Sequence, residues 1–250
     1  MKRPPEGVRV EWLRRVEAEY RSAAITQHLT LWLIQIGASP DLVRAGLRIV
    51  RDELAHSATS HRAFVAAGGE GGPLLARETL ELARTPGGPL EDDVTRVCVE
   101  VFCLGETVAV RLFKELRQVC EVPVARRVLD RILRDEVRHR DFGWVLLGWL
   151  LDSRGNGARV RELVDRELPA WFHRLRFLYG PPGAARQARL PPGEARWGLM
   201  PPARYDAILA LTFERDYVPR FRRLGIDARP AWSASEVMRG PVPRSERPAG

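Results

Sequence analysis

Lysine is nearly missing from this chain. Only Lys2 and Lys114 occur, so the 40 basic residues set against 32 acidic ones are almost all arginine, and the net charge is +8. An arginine bias of this kind follows genome composition as readily as phosphate recognition, so the charge alone does not assign an anionic partner. Cysteine is scarce too. Cys98, Cys103 and Cys120 leave an odd thiol within one short stretch, which speaks against a disulfide framework and makes a reducing, cytoplasmic setting the expectation. Long apolar runs are also lacking. The longest, Phe142 to Leu151, spans about ten residues where a membrane-crossing helix needs roughly twenty. The opening Met1-Lys2-Arg3-Pro4-Pro5-Glu6-Gly7 has no apolar signal region, so a soluble protein without membrane contact is expected. At 250 residues, 45% hydrophobic and 29% charged, collagen-like, coiled-coil and wholly disordered chains are excluded. One globular domain, or a domain with an appendage, is the expected size class.

What is present is helical periodicity. From Val10 to about Ile36 apolar residues recur at helical spacing, and Gly37 ends the pattern as a C-terminal cap. Ser39-Pro40-Asp41 then supplies a cap, a first-turn proline and an early acid for a second helix running to about Ala66. Residues 68 to 93 are rich in glycine and proline, with a short helical piece around Leu74 to Leu82, and read as a crossover. A third helix is expected from Val94 to Val119 and a fourth from Pro123 to about Leu151. Beyond Ser153 the composition changes: a helix from Val160 to Tyr179, a proline-rich loop over 180–202, and a further helix from Ala203 to Leu224 are expected. The boundaries that follow are 8–152 for the main unit, 153–227 for a helical extension packed on it, and 228–250 for an Arg/Pro-rich tail expected to be disordered.

The main unit contains an internal repeat. Gln35, Pro40, Asp52, Glu53 and His56 recur as Gln118, Pro123, Asp135, Glu136 and His139, always 83 residues later. Two duplicated helical hairpins joined by a long crossover form an all-α four-helix bundle with approximate two-fold symmetry.

The repeat carries the chemistry. Glu53 and His56 lie three apart on one helix face, and Glu136 and His139 repeat them. One such pair is ordinarily a surface pair; two in matched hairpins meet across the core. Two carboxylates and two neutral imidazoles, joined by a glutamate from each remaining helix, suit a pair of iron ions, with manganese as the alternative. On the first helix the choice lies between Glu17 and Glu19, which amphipathicity does not separate. On the third, the repeat favours Glu100 as the partner of Glu17, and burial favours Glu106. Asp52 and Asp135 precede both ligand glutamates; each can accept the free N–H of the opposite histidine, or simply pair with Arg51 or Arg134. His28 and His61 fall outside the repeat and read as packing or surface residues. Tyr20 and Cys103 flank proposed ligands but read more simply as bundle side chains, and Trp144, Trp149 and Trp171 as packing between the bundle and the C-terminal helices.

Asp52-Glu53-Leu54-Ala55-His56 and Asp135-Glu136-Val137-Arg138-His139 resemble the two Asp-Glu-x-x-His motifs of the ferritin-like di-iron carboxylate superfamily. Glu19-Tyr20-Arg21-Ser22-Ala23 and Gly105-Glu106-Thr107 are similar to the corresponding helices of a bacterial ferritin-like group, over about residues 10 to 152. Tyr20-Arg21 departs from the His-Ala of that group. The resemblance implies a ferritin-like bundle with Glu19, Glu53, His56, Glu106, Glu136 and His139 as ligands of two irons. It also implies an oxygen-activating oxidase or oxygenase, with dioxygen and a small organic molecule as partners. The alternatives are a ferritin-type ferroxidase and a non-catalytic helical module. A homodimer through an exposed hairpin face is compatible with either activity. Nucleic acid is a less favoured partner, raised by Arg159, Arg161, Arg166, Arg174 and Arg176 on or next to one helix.

Overall fold

The structure is a computed structural model that describes residues 4–153, 155–179 and 189–238. All regular structure among these residues is helical. Helix α1 spans Glu6–Gln35 and α2 spans Pro40–Ala66. The punctuation between them acts as its residue types require. Gly37 takes φ 71°, and Ala38 N–H reaches back to the Leu33 carbonyl at 2.9 Å, closing α1 through a left-handed residue. Ser39 Oγ accepts from Leu42 N–H at 3.4 Å and Pro40 opens α2. The crossover follows, with a single 3-10 turn at Arg77–Leu80.

The expected third helix is longer and not uniformly wound. Helix α3 (Leu90–Val97) runs into a π-helical segment, Cys98–Gly105, and then into α4 (Glu106–Val119). Glu106 N–H bonds to the Val101 carbonyl, five residues back, where an α-helix would use the Phe102 carbonyl, four back. Helix α5 spans Pro123–Asp152. Gly143 on α5 lets the π segment approach: a Cβ there would lie 2.6 Å from Phe102 Cβ and 2.9 Å from Cys103 N. The pairs α1–α2 and α4–α5 pack as hairpins, and α2 packs on α5. Their shared core includes Trp12, Leu29, Leu33, Leu104, Leu129 and Ile132, all fully buried.

The extension continues as α6 (Gly157–Tyr179), a 3-10 turn at Ala195–Trp197, then α7 (Pro202–Thr212), a second π segment (Phe213–Tyr217) and α8 (Val218–Arg223). It is fastened to the hairpins by specific contacts. Tyr217 donates its hydroxyl to the Leu104 carbonyl at 2.7 Å, beside the junction where the winding of α4 begins. Trp144 packs edge-on against Phe221 at 4.9 Å and donates to Thr107 Oγ1. Trp12 Nε1 donates to the Trp197 carbonyl at 3.3 Å.

The tail differs from expectation. Residues from Ala228 to Val237 form a helix, α9, that packs on α6. Arginine and proline are prominent around it, yet Ala228, Ala231 and Ser235 bury one face. Trp232 stacks on Phe213 with ring centroids 4.2 Å apart, and the Arg176 guanidinium lies over the Trp232 ring at 3.5 Å. The rest of the expected tail, 239–250, and part of the proline-rich loop, 180–188, lie outside the described residues. No described helix is long and apolar enough to cross a membrane.

Candidate metal centre

The two hairpins bring Glu53 and His56 of α2 against Glu136 and His139 of α5, with Glu19 from α1 and Glu106 at the start of α4. All six side chains are buried. Glu19, Glu53, His56 and Glu136 offer one donor atom each within 4.8 Å of one another, and so do Glu53, Glu106 and His139. Glu53 belongs to both groups. The cluster could therefore hold a metal ion, and its two overlapping donor groups share a central carboxylate.

Separations between donor atoms test the fit. Two ligands each about 2.1 Å from one ion lie about 3 Å apart at right angles and about 4.2 Å apart when opposite. His139 Nδ1 is 3.1 Å from Glu53 Oε1 and 3.8 Å from Glu136 Oε2. His56 Nδ1 is 3.5 Å from Glu19 Oε2, 3.6 Å from Glu53 Oε2 and 4.0 Å from Glu136 Oε1. Every one of these falls in the ligand–ligand range. Neither Nδ1 has a hydrogen-bond partner among the described residues, and Glu53 Oε2 and Glu136 Oε2 also have none. Buried polar atoms without partners are uncommon in folded proteins, and here four of them converge.

The far nitrogens of the imidazoles face aspartates of the opposite hairpin. His56 Nε2 is 3.0 Å from Asp135 Oδ2, and His139 Nε2 makes a looser approach to Asp52 Oδ2 at 3.5 Å. Both aspartates share one guanidinium: Arg138 Nη2 lies 3.0 Å from Asp52 Oδ2 and 2.5 Å from Asp135 Oδ1. This arginine, and not Arg51 or Arg134, is their shared cationic partner. Burial works against ionised Asp52, but His139 and Arg138 outweigh it and hold the carboxyl down at about 2. Asp135 is lowered in the same way by His56 and Arg138. Ionised aspartates accept only, so each favours a proton on Nε2 and a lone pair on Nδ1, directed at the carboxylate cluster.

Without a cation the cluster is electrostatically strained. Burial, then the Glu53 charge, pushes Glu19 up to about 8. Glu136 is raised well above the usual carboxylate range by burial and by Glu106 beside it, and burial raises Glu106 too. Burial alone would lower the histidines, but their carboxylate neighbours hold His56 up to about 11 and His139 up to about 10. Four clustered carboxylates carry the charge that two divalent cations neutralise. Burying carboxylates uncompensated costs on the order of several kcal/mol per ion.

The other candidates part company with the cluster. Glu17 pairs with Arg21 at 2.5 Å, and Glu100 pairs with Arg174, its Oε2 3.0 Å from Nη2. Tyr20 is 42% exposed. His28 accepts from Leu82 N–H at 3.0 Å and His61 contacts the Gly71 carbonyl, so both tie down the crossover. Cys98, Cys103 and Cys120 are buried free thiols. The arginines of α6 are engaged within the chain: Arg159 with Asp92, Arg161 with the Leu224 carbonyl, Arg166 with Glu167, Arg174 with Glu100 and Arg176 with Glu236.

A cavity of about 210 Å³ opens directly on the cluster and is lined by Glu19, Glu53, Glu106 and Glu136. Its outer wall comes from the extension: Trp171, Leu175 and Tyr179 of α6, and Tyr205 of α7. Tyr179 is a neighbour of the site that sequence reading did not single out. Burial raises its hydroxyl, and the charges of Glu106 and Glu136 push in the same direction. Compared with protein-family models and with curated proteins, the chain matches none.

Proposed function

We propose that the cluster is a dinuclear iron centre in a ferritin-like bundle, and that the protein is an oxygen-activating oxidoreductase acting on a small organic substrate. The observation that carries this is the convergence of two unpartnered Nδ1 atoms and four buried carboxylates at ligand–ligand spacing. Glu19 and His56 would hold one ion, Glu106 and His139 the other, with Glu53 and Glu136 between them. Bound ferrous iron would supply the electrons for reducing dioxygen. The chain's own contribution is positional. Asp135 and Asp52 orient the imidazoles, Arg138 holds both aspartates, and the apolar surroundings keep bulk water off the carboxylates. Manganese suits the same hard donor set.

A second reading, iron oxidation of ferritin type, fits these donors equally. The cavity beside the cluster favours an organic substrate, because oxidising iron alone does not call for an apolar chamber walled by added helices. The test is anaerobic ferrous loading, with metal content and the absorption change on air compared between wild type and Glu53→Ala/Glu136→Ala. About two irons per chain and an oxygen-dependent absorption change, both lost in the double variant, are expected. No bound metal in the wild type overturns the reading.

A further inference from the structure

Besides four of the carboxylates of the cluster, the cavity is lined by Glu11, Arg14, Arg15 and Glu100, and of these Arg15 is the buried cation. Arg15 lies one helical turn before Glu19 on α1, lines the same cavity and is 5% exposed. Nε is 3.1 Å from Glu11 Oε1, Nη2 donates to the Gly198 carbonyl at 2.8 Å, and the guanidinium lies over the Trp12 ring at 4.5 Å. Nη1 has no hydrogen-bond partner among the described residues. A guanidinium cannot shed its charge to relieve this, so a cation that lines a ligand-sized cavity with its hydrogen bonding incomplete is best matched by an anion. The local charge agrees. Glu11 is the acid at this end and already holds Arg14 through two contacts, of 2.9 and 3.1 Å, so two cations face one carboxylate.

Between the two ends the lining includes apolar side chains, Ala109, Leu112 and Phe113 of α4 with Trp171 and Leu175 of α6, and Glu100 there is paired with Arg174. At 210 Å³ the cavity exceeds the roughly 150 Å³ that holds benzene, leaving room for a few more heavy atoms. Arg15 and Glu19 are separated by about 6 Å along the helix axis, about the length of one ring or a four-carbon chain.

We propose that this cavity binds a small monocarboxylic acid, its carboxylate paired with Arg15 and its apolar body reaching toward Glu19 and Glu106. The orientation follows from charge, since the far end is walled by carboxylates. That the acid is the substrate rests on the metal-centre reading; that it binds does not.

The test is calorimetric titration of the full chain, metal-loaded and metal-free, with benzoate and with straight-chain acids from butanoate to octanoate. Each acid is paired with the alcohol of the same carbon skeleton. At least one acid should bind, and both its alcohol and the Arg15→Gln variant should show affinity weaker by roughly ten- to a hundredfold, the loss expected for a charge-assisted hydrogen bond. Ala109→Trp, which fills the cavity and leaves Arg15 intact, should abolish binding while metal content is kept. Should Arg15→Gln fail to fold, the comparison of acid with alcohol and Ala109→Trp carry the test. Equal binding of acid and alcohol, wild-type affinity in the folded Arg15 variant, or no binding across the series overturns the proposal. Metal content of the same samples separates the two ideas. Metal bound without Arg15-dependent acid binding removes this inference alone, and the reverse pattern removes the di-iron reading alone.

Discussion

His56 and Asp135 face each other across the two hairpins at 3.0 Å, although 79 residues separate them in the chain. The counterpart, His139 with Asp52, is longer at 3.5 Å. Each half of the duplication thus sets an aspartate against the far nitrogen of the other half's histidine, and does so asymmetrically, since only the His56 contact is a hydrogen bond. Asp135→Asn should therefore weaken metal binding more than Asp52→Asn, by about ten- to a hundredfold against wild type, with the thermal midpoint of the metal-free protein little changed. Chelator competition on both variants measures this. Unaltered affinity in Asp135→Asn would show that the aspartate serves Arg138 and not the imidazole.

Metal uptake should release protons. Glu19, at about 8, and His56 and His139, at about 11 and 10, all sit above their ordinary values of 4.5 and 6.5, so near neutrality they hold protons that a cation must displace. Loading at about pH 7 should release about two or more protons per chain, and affinity should rise with pH. Indicator absorbance in weak buffer reads the release directly, and a pH-independent affinity refutes the assignment of these groups as ligands.

The same shifts set the stability of the metal-free protein. The Glu19 contribution is complete below 4.5 and is lost as pH rises through about 8; those of the histidines are complete below 6.5 and lost as pH rises through about 10 to 11. Asp52 acts oppositely, its contribution falling away as pH drops from 3.8 through about 2. Denaturant midpoints should therefore decline between about pH 6 and pH 9 without metal, and decline less with it. A metal-free midpoint that climbs over this interval contradicts the sign.

Much of this was legible in the sequence, for reasons that can be named. Gly37, Ser39-Pro40 and the 83-residue interval marked the hairpins because caps and duplications leave residue-type signatures. The π segment leaves none. A change of backbone register within Cys98–Gly105 is compatible with the same apolar residues as an α-helix, so it could not be read. The ambiguity on the third helix belongs with it. Glu19 and Glu106 are 87 residues apart, four more than the repeat interval, which is about one helical turn and keeps the face while changing the height. The repeat therefore pointed to Glu100 and burial to Glu106, and it is Glu106 that stands in the cluster. Helix α9 was hidden by composition, since Arg229, Pro230 and Arg239 outweighed the spacing of Ala228, Ala231 and Ser235. Tyr179 reaches the cavity only through the tertiary placement of α6, which no local pattern encodes.

Gly143→Ala should be costly despite adding one methyl group. The new Cβ would fall 2.6 Å from Phe102 Cβ, 2.7 Å from Phe102 C and 2.9 Å from Cys103 N. Two of those three atoms are backbone and cannot rotate away. Relief requires the π segment to move off α5, at about 1 to 3 kcal/mol. Because Glu106 follows that segment directly, metal content should fall together with stability. A variant that keeps full metal content and wild-type stability means the close approach is not needed.

Alanine substitutions at the four alternative glutamates separate ligands from their neighbours in sequence. Glu19 and Glu106 are buried with the histidines, so removing either should lower metal content, and relieving the crowded carboxylates should leave the metal-free fold as stable or more so. Glu17 faces Arg21 on a partly exposed surface, and its removal should cost no more than about 1 kcal/mol with metal retained. Glu100 is the harder case, because it also lines the cavity while pairing with a largely buried Arg174. Glu100→Ala strands that guanidinium, so stability should drop by about 3 kcal/mol while the metal stays. Metal analysis paired with denaturation distinguishes all four. If Glu100→Ala loses metal and Glu106→Ala keeps it, the repeat interval, and not burial, identifies the ligand on this helix, and the centre must be redrawn around Glu100.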